Sequence, residues 1–171
     1  MTEMLSARCA CGDVEVEARG EPIAVVTCFC DDCQEAARRI EALPRAPRIL
    51  EWDGGTELIL YRRDRFRCTR GEERLQVHKL RERSVTSRFV AGCCNSAMYL
   101  GFDKGPHWVS LLRSRAVDPV PPVQMRLNTR FRAKEKETQQ DGIPSHATAS
   151  WSLIARLISS KIGMILATAR R

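Results

Sequence analysis

The sequence predicts a mainly β fold, with a short helix after a cysteine cluster and a second helix appended near the C-terminus. Three observations carry that reading. Apolar and polar residues alternate in short runs such as Val14-Glu15-Val16-Glu17-Ala18 and Leu75-Gln76-Val77-His78-Lys79-Leu80, the period of a half-buried strand. Turn signals such as Gly20-Glu21-Pro22 and Asp53-Gly54-Gly55 separate the runs. Helical patterning is confined to two stretches. With 171 residues, 43% of them apolar, the chain is long enough for one domain with its own core, with or without an appendage.

Met4 to Cys9 reads as a short strand delivering Cys9-Ala10-Cys11-Gly12. On a strand, residues two apart face the same side, so both sulfurs can aim at one centre, and Gly12 permits the tight turn that follows. Val14–Ala18 is the next strand, and Ile23-Ala24-Val25-Val26-Thr27 leads straight into Cys28, a hairpin with a cysteine cluster near each end. Gln34 to Leu43 favours a helix stopped before Pro44, with Asp31 or Asp32 as its cap. Further strands are expected at Arg48–Trp52, Glu57–Tyr61, Leu75–Leu80, Ser84–Val90, Ala97–Phe102 and His107–Leu112. Arg62 to Gly71 reads as a basic, polar connection with a lone, incidental Cys68.

The organisation expected is a β domain over 1–117, a largely irregular linker over 118–150 opened by Asp118-Pro119-Val120-Pro121-Pro122, and an amphipathic helix over 151–168. On a wheel of about 100° per residue, Ser152, Arg156, Ser159, Ser160 and Gly163 fill one arc of that helix. Leu153, Ile154, Leu157, Ile158, Ile162, Met164 and Ile165 fill the remainder, interrupted by Lys161 alone. So broad an apolar face needs a cover: its own domain, a partner subunit or a membrane surface. There is no unbroken apolar run of about 18 residues, so no transmembrane segment is expected. Met1-Thr2-Glu3-Met4-Leu5 lacks the pattern of a signal peptide.

The chemistry is concentrated in Cys28-Phe29-Cys30-Asp31-Asp32-Cys33. Three thiols spaced C-x-C-x-x-C can converge on one soft cation, and three protein ligands with an open fourth position describe a catalytic rather than a structural zinc. A packing role would not explain the clustering. Clustered cysteines without a secretory leader point to a reducing cytoplasm, where they read as metal ligands or catalytic thiols. The helix start beside the cluster favours thiolate over thiol. A third group, Cys93-Cys94, arrives about sixty residues later. With Cys9 and Cys11, one or both of these would make a structural zinc.

The net charge of +7 belongs to the tail. Residues 119–171 hold nine Lys and Arg against three Asp and Glu, whereas residues 1–118 hold nineteen against eighteen. A near-neutral domain, and a basic tail without interleaved aromatics, argue against a nucleic-acid partner.

The paired motifs Cys9-Ala10-Cys11-Gly12 and Cys28-Phe29-Cys30-Asp31-Asp32-Cys33 resemble the signature of the glutathione-dependent formaldehyde-activating enzyme and centromere-protein-V family. The resemblance covers roughly residues 5–117. It implies a β-tent of small antiparallel sheets, a structural zinc with Cys9, Cys11 and Cys94 among its ligands, and a catalytic-type zinc on Cys28, Cys30 and Cys33. Where the family closes with F-C-x-x-C-G, this chain reads Phe89-Val90-Ala91-Gly92-Cys93-Cys94-Asn95, with Ala91 in place of the partner cysteine. Cys93 is the substitute at hand, but adjacent strand residues point to opposite faces. A three-sulfur, a distorted or an absent first site are therefore the alternatives.

The activity implied is that of a zinc-dependent carbon–sulfur lyase acting on a small thiol or thiol–aldehyde adduct. No general base is placed by spacing, since His78 and His107 are the domain's only histidines. Asp31 and Asp32 would repel an anionic thiol unless Arg38, Arg39 or the basic 62–70 stretch compensates. A second reading is a non-catalytic, zinc-stabilised interaction module whose C-terminal helix binds a partner or forms a homo-oligomer. A third, a reversible Cys30–Cys33 disulfide, is disfavoured by the flanking carboxylates, which raise thiol pKa values.

Overall fold

In the computed structural model, which describes residues 4–133 and 141–169, the alternating stretches become strands in two sheets. The first sheet contains β1 (Met4–Arg8), β2 (Glu15–Arg19) and β5 (Phe66–Arg70), all antiparallel, in the order β1-β2-β5. The second contains β3 (Ala24–Cys28), β4 (Thr56–Arg62), β6 (Leu75–His78), β7 (Thr86–Ala91), β8 (Ser96–Phe102), β9 (Trp108–Leu112) and β10 (Met125–Leu127). Its order is β10-β3-β4-β9-β8-β7-β6, antiparallel except for the parallel pairing of β10 with β3. Two helices, α1 (Asp31–Glu41) and α2 (Trp151–Ala169), complete the mainly β architecture.

The seven-stranded sheet is covered on both faces, and its residues alternate accordingly. Val25, Ile59, Tyr61, Val109 and Leu111 pack with Leu5, Ala7, Val16 and Ala18 of the small sheet. Val26, Leu58, Leu60 and Leu112 pack with Ala37 and Ile40 of α1 and Leu153 of α2. All five residues of β3 are buried, which explains why its sequence is a continuous β-rich run rather than an alternating one.

Three stretches differ from the sequence expectation. Residues 66–70, expected as a connection, form the edge strand β5, whose outward cations pair across the sheet: Arg67 donates to Glu17 at 2.7 Å. Polar, charged composition is what an edge strand carries. Arg48–Trp52 forms no strand; instead the Glu41 carboxylate accepts hydrogen bonds from the backbone N–H groups of Ile49 and Leu50 at 2.6 and 2.7 Å. A side chain thus satisfies the donors that a neighbouring strand would have taken. The stretch expected as a largely irregular linker contains β10, buried at all three positions, with Arg126 bonded to Asp141 at 2.9 Å. Residues 134–140 of that stretch, like Met1 to Glu3, lie outside the described residues.

α2 has two faces. Leu153 and Leu157 pack against the domain, and Ser160 Oγ shares a 2.6 Å hydrogen bond with His107 Nε2. On the opposite side Trp151, Ile158, Ile162, Ile165 and Leu166 are exposed, Trp151 by 85%. By length and composition α2 is long and apolar enough to cross a membrane, with a mean hydropathy of 1.2 over Trp151–Thr168.

Candidate metal centre

The structure gathers seven of the eight cysteines into two clusters. In each, all the sulfurs lie within 4.8 Å of one another: Cys9, Cys11, Cys93 and Cys94 in the first, Cys28, Cys30 and Cys33 in the second. Cys68 stays apart, its thiol donating to the carbonyl oxygens of Glu15 and Arg70 at 3.3 Å.

The first cluster joins two turns. β1 ends at Arg8, so Cys9 and Cys11 sit in the turn after it rather than on the strand. Cys9 N–H donates to Val14 O and Gly12 N–H to Cys9 O, each at 3.0 Å. Gly12 has φ +83, the left-handed conformation expected of it. Cys93 and Cys94 sit in the turn between β7 and β8, where Asn95 also takes a positive φ of 53. Strand alternation therefore does not apply, and Cys93 points into the cluster together with Cys94. Its sulfur is 3.2 Å from Cys11 Sγ, 3.8 Å from Cys9 Sγ and 3.9 Å from Cys94 Sγ. Four sulfurs therefore converge at the first cluster, Cys93 among them. Ser96 joins the two turns, accepting from Ala10 N–H at 3.0 Å while its hydroxyl lies 3.1 Å from Cys94 Sγ. Burial pushes the Cys94 thiol up, but hydrogen bonds from Ser96 and Cys11 outweigh it and bring the thiol down to about 6. Burial and then its hydrogen bond with Cys11 push Cys93 well up.

The second cluster is built at a strand-to-helix junction. Cys28 is the last residue of β3, Cys30 occupies the N-cap position of α1, and Cys33 lies in its first turn. Asp31 and Asp32 are first-turn residues rather than the cap, favourably placed for the helix dipole. Hydrogen bonds from Cys30 and then Cys33 hold the Cys28 thiol down to about 3. Cys33, although in the helix's first turn, is pushed well above its ordinary value, chiefly by donating to Cys28.

Residues far along the chain fix this junction, and sequence spacing gave no sign of them. Asn128 Nδ2 donates to Cys28 Sγ at 3.5 Å, held there because Phe29 N–H bonds Leu127 O at 3.0 Å. Gln34 Nε2 donates to both Phe29 O and Phe131 O, at 2.6 and 3.0 Å. Arg132 pairs with Asp53 at 3.0 Å with both side chains buried, and its guanidinium lies 5.1 Å from the centre of the Phe29 ring. The cations expected to offset Asp31 and Asp32 are engaged elsewhere. Arg38 and Arg39 pair with Glu35 at 3.3 and 2.7 Å, and Arg67 pairs with Glu17. Arg81 reaches Asp32 at 3.8 Å, and Arg88 donates to Asp32 O at 2.9 Å.

Both donor sets fit a tetrahedral thiolate-bound ion. Zinc–sulfur bonds of about 2.3 Å at tetrahedral angles put sulfurs about 3.8 Å apart; in the first cluster four of the sulfur pairs lie 3.2, 3.5, 3.8 and 3.9 Å apart, and all lie within 4.8 Å. The first cluster has four sulfurs. The second has three, and among the described residues no His, Asp or Glu joins it as a fourth ligand.

Residues 4–44, which contain the C-x-C-G and C-x-C-x-x-C motifs, match the family model described as glutathione-dependent formaldehyde-activating enzyme. No curated protein matches the chain. Among solved structures, a Rhodobacter sphaeroides protein is similar at 20% identity and a TM-score of 0.47, over 68% of this chain and 91% of the other.

Proposed function

We propose that this chain, a divergent member of the glutathione-dependent formaldehyde-activating enzyme family, is a zinc-dependent carbon–sulfur lyase acting on a thiol–aldehyde adduct. The observation that carries the reading is the contrast between the clusters: four sulfurs in the first and three in the second. Four thiolates complete a tetrahedral ion, and three leave a position for a ligand from solution. Cys9, Cys11, Cys93 and Cys94 would hold a structural zinc, and Cys28, Cys30 and Cys33 the reactive one.

Zinc bound by three thiolates supplies Lewis acidity at its fourth position. Cys28, whose thiol Cys30 and Cys33 hold low, is oriented by the Asn128 amide, and Gln34 ties the cysteine loop to α1 and to the segment after β10. In the forward direction the sulfur of a thiolate bonds to the aldehyde carbon, and the carbonyl oxygen takes a proton from water. In reverse the hydroxyl proton is lost, the carbon–sulfur bond breaks and sulfur departs with the electron pair. His78 and His107 lie outside both clusters, so the proton exchanges with water rather than with an imidazole.

The test is to incubate zinc-loaded protein with an aldehyde and small thiols and to follow adduct formation and breakdown. Acceleration over the zinc-free protein, abolished by Cys30→Ser, is expected. Equal rates with and without zinc would overturn the reading.

The exposed face of α2 favours a second reading, a zinc-stabilised interaction module. Five large apolar side chains stand opposite the face packed on the domain. If this face joins copies of the chain, molecular size in solution will exceed that of a monomer, and Ile158→Glu with Ile162→Glu will restore it. A wild-type monomer at every concentration would remove the homo-oligomer.

A further inference from the structure

Beneath α1, next to the three-sulfur cluster, lies a narrow cavity bounded by Cys33, Ala36 and Ile40 of the helix and by Thr56, Arg88 and Leu112 of the sheet. Apart from Tyr99 its lining is otherwise apolar, yet two of the lining residues each carry a polar atom buried without any hydrogen-bond partner: Arg88 Nη1 and Thr56 Oγ1. Arg88 is 5% exposed and Thr56 3%. The other arm of the guanidinium is anchored, Nη2 donating to Asp32 O at 2.9 Å. Among the described residues no carboxylate pairs with Arg88. A buried guanidinium N–H and a buried hydroxyl without acceptors are each unfavourable, and native structures rarely leave such groups unsatisfied. Here two of them share one cavity. Thr56 also lies directly opposite Cys28 in the β3–β4 register, so the same cavity adjoins the cluster through Cys33 and through the neighbour of Cys28.

We propose that this cavity takes the carboxylate of a short thiol ligand, with Arg88 Nη1 and Thr56 Oγ1 donating to its two oxygens while the ligand's sulfur is at the Cys28–Cys30–Cys33 centre. Two donors match the two oxygens of one carboxylate, and a guanidinium suits that planar anion. The volume of about 20 Å³ exceeds the ~10–15 Å³ that one water-sized occupant needs, and it admits a single small group rather than a peptide. Because Cys33 and Arg88 border the same cavity, sulfur and carboxylate must be only a few bonds apart. The inference rests on the open second centre proposed above. It also supplies the positive charge that the Asp31-Asp32 pair would otherwise deny an anionic thiol.

The test uses the full chain loaded with cobalt(II), whose visible spectrum reports a thiolate joining the metal. It is titrated with 3-mercaptopropionate, with 2-mercaptoethanol and with propionate. The expected result is that both thiols change the spectrum and that 3-mercaptopropionate binds about tenfold or more tightly, as one charge-assisted contact would give. Propionate should compete with it. Arg88→Met should abolish the preference. Thr56→Val, which keeps the side chain's shape and leaves the Arg88–Asp32 anchor in place, should reduce it while 2-mercaptoethanol binding stays unchanged. Equal affinity of the two thiols, with intact spectral changes, would overturn the carboxylate pocket and leave the metal reading standing; the cavity would then hold a water only. No spectral change with either thiol would overturn both.

Discussion

Cys11 Sγ and Cys93 Sγ are 3.2 Å apart although 82 positions of chain separate them. The contact closes the small sheet's turn onto the β7–β8 turn, so a metal held there would staple the two sheets together. Structural zinc is worth about 10–16 kcal/mol in small zinc peptides, and removing one of four ligands forfeits a large part of that. Cys93→Ser is therefore expected to lower zinc content by about one per chain and to reduce the unfolding midpoint markedly. Cys68→Ser, outside both clusters, should leave zinc content unchanged. Elemental analysis and thermal melts check both.

Gly55 supports the second cluster from outside it. A Cβ at this position would clash with Thr27 Cγ2 and meet the Phe29 ring at 3.0 Å. Phe29 separates Cys28 from Cys30 and is fully buried, so the clash would be relieved by moving the cysteine loop. Overpacking of this kind costs about 1–3 kcal/mol. Gly55→Ala is expected to lower stability by that amount and to weaken metal binding at the three-sulfur cluster, leaving the four-sulfur cluster loaded. Chemical denaturation with stepwise metal removal would show it.

Metal uptake at the second cluster should be strongly pH-dependent. Hydrogen bonds from Cys30 and Cys33 hold Cys28 down to about 3, while Cys30 and Cys33 themselves are pushed up, each chiefly by its bond to Cys28. A metal needs all three as thiolates, so Cys30 and Cys33 must each release a proton. Affinity is expected to rise with pH across about pH 6 to 8, by up to two decades per pH unit. Competition with a chromophoric chelator measures the slope, and a flat profile would contradict the trio as ligands.

The His107–Ser160 bond makes the attachment of α2 sensitive to acid. Burial, then the charges of Lys161 and Arg62, lower the His107 pKa from its ordinary 6.5. The unfolded chain therefore takes up the proton more readily than the folded one, so stability rises with pH. The contribution is complete above about pH 6.5 and is lost as pH falls through the lower folded value. Hydrogen exchange of α2 should accelerate on acidification in the wild type, and much less so in His107→Phe.

Much of the β framework was legible because burial on one face writes itself as alternation, as at Val14–Ala18. The cysteine spacing likewise announced its convergence, since nothing but a shared centre groups three thiols in six residues. α2 was recognisable from its period, although its outer face has no cover in the structure. What could not be read depends on contacts distant in sequence. Asn128 reaches Cys28 across 100 positions, and β10 is too short to show a period. Cys93 could not be placed from spacing because it lies in the turn between β7 and β8, where strand alternation does not apply. Arg88 looks like one cation among many until the fold buries it under α1.

The most direct measurement is zinc per chain on protein purified without chelator, wild type beside Cys30→Ser. The account predicts about two zincs in the wild type and about one in the variant, with the four-sulfur cluster still loaded. Wild-type protein carrying no zinc, with all eight free thiols open to titration, would contradict it.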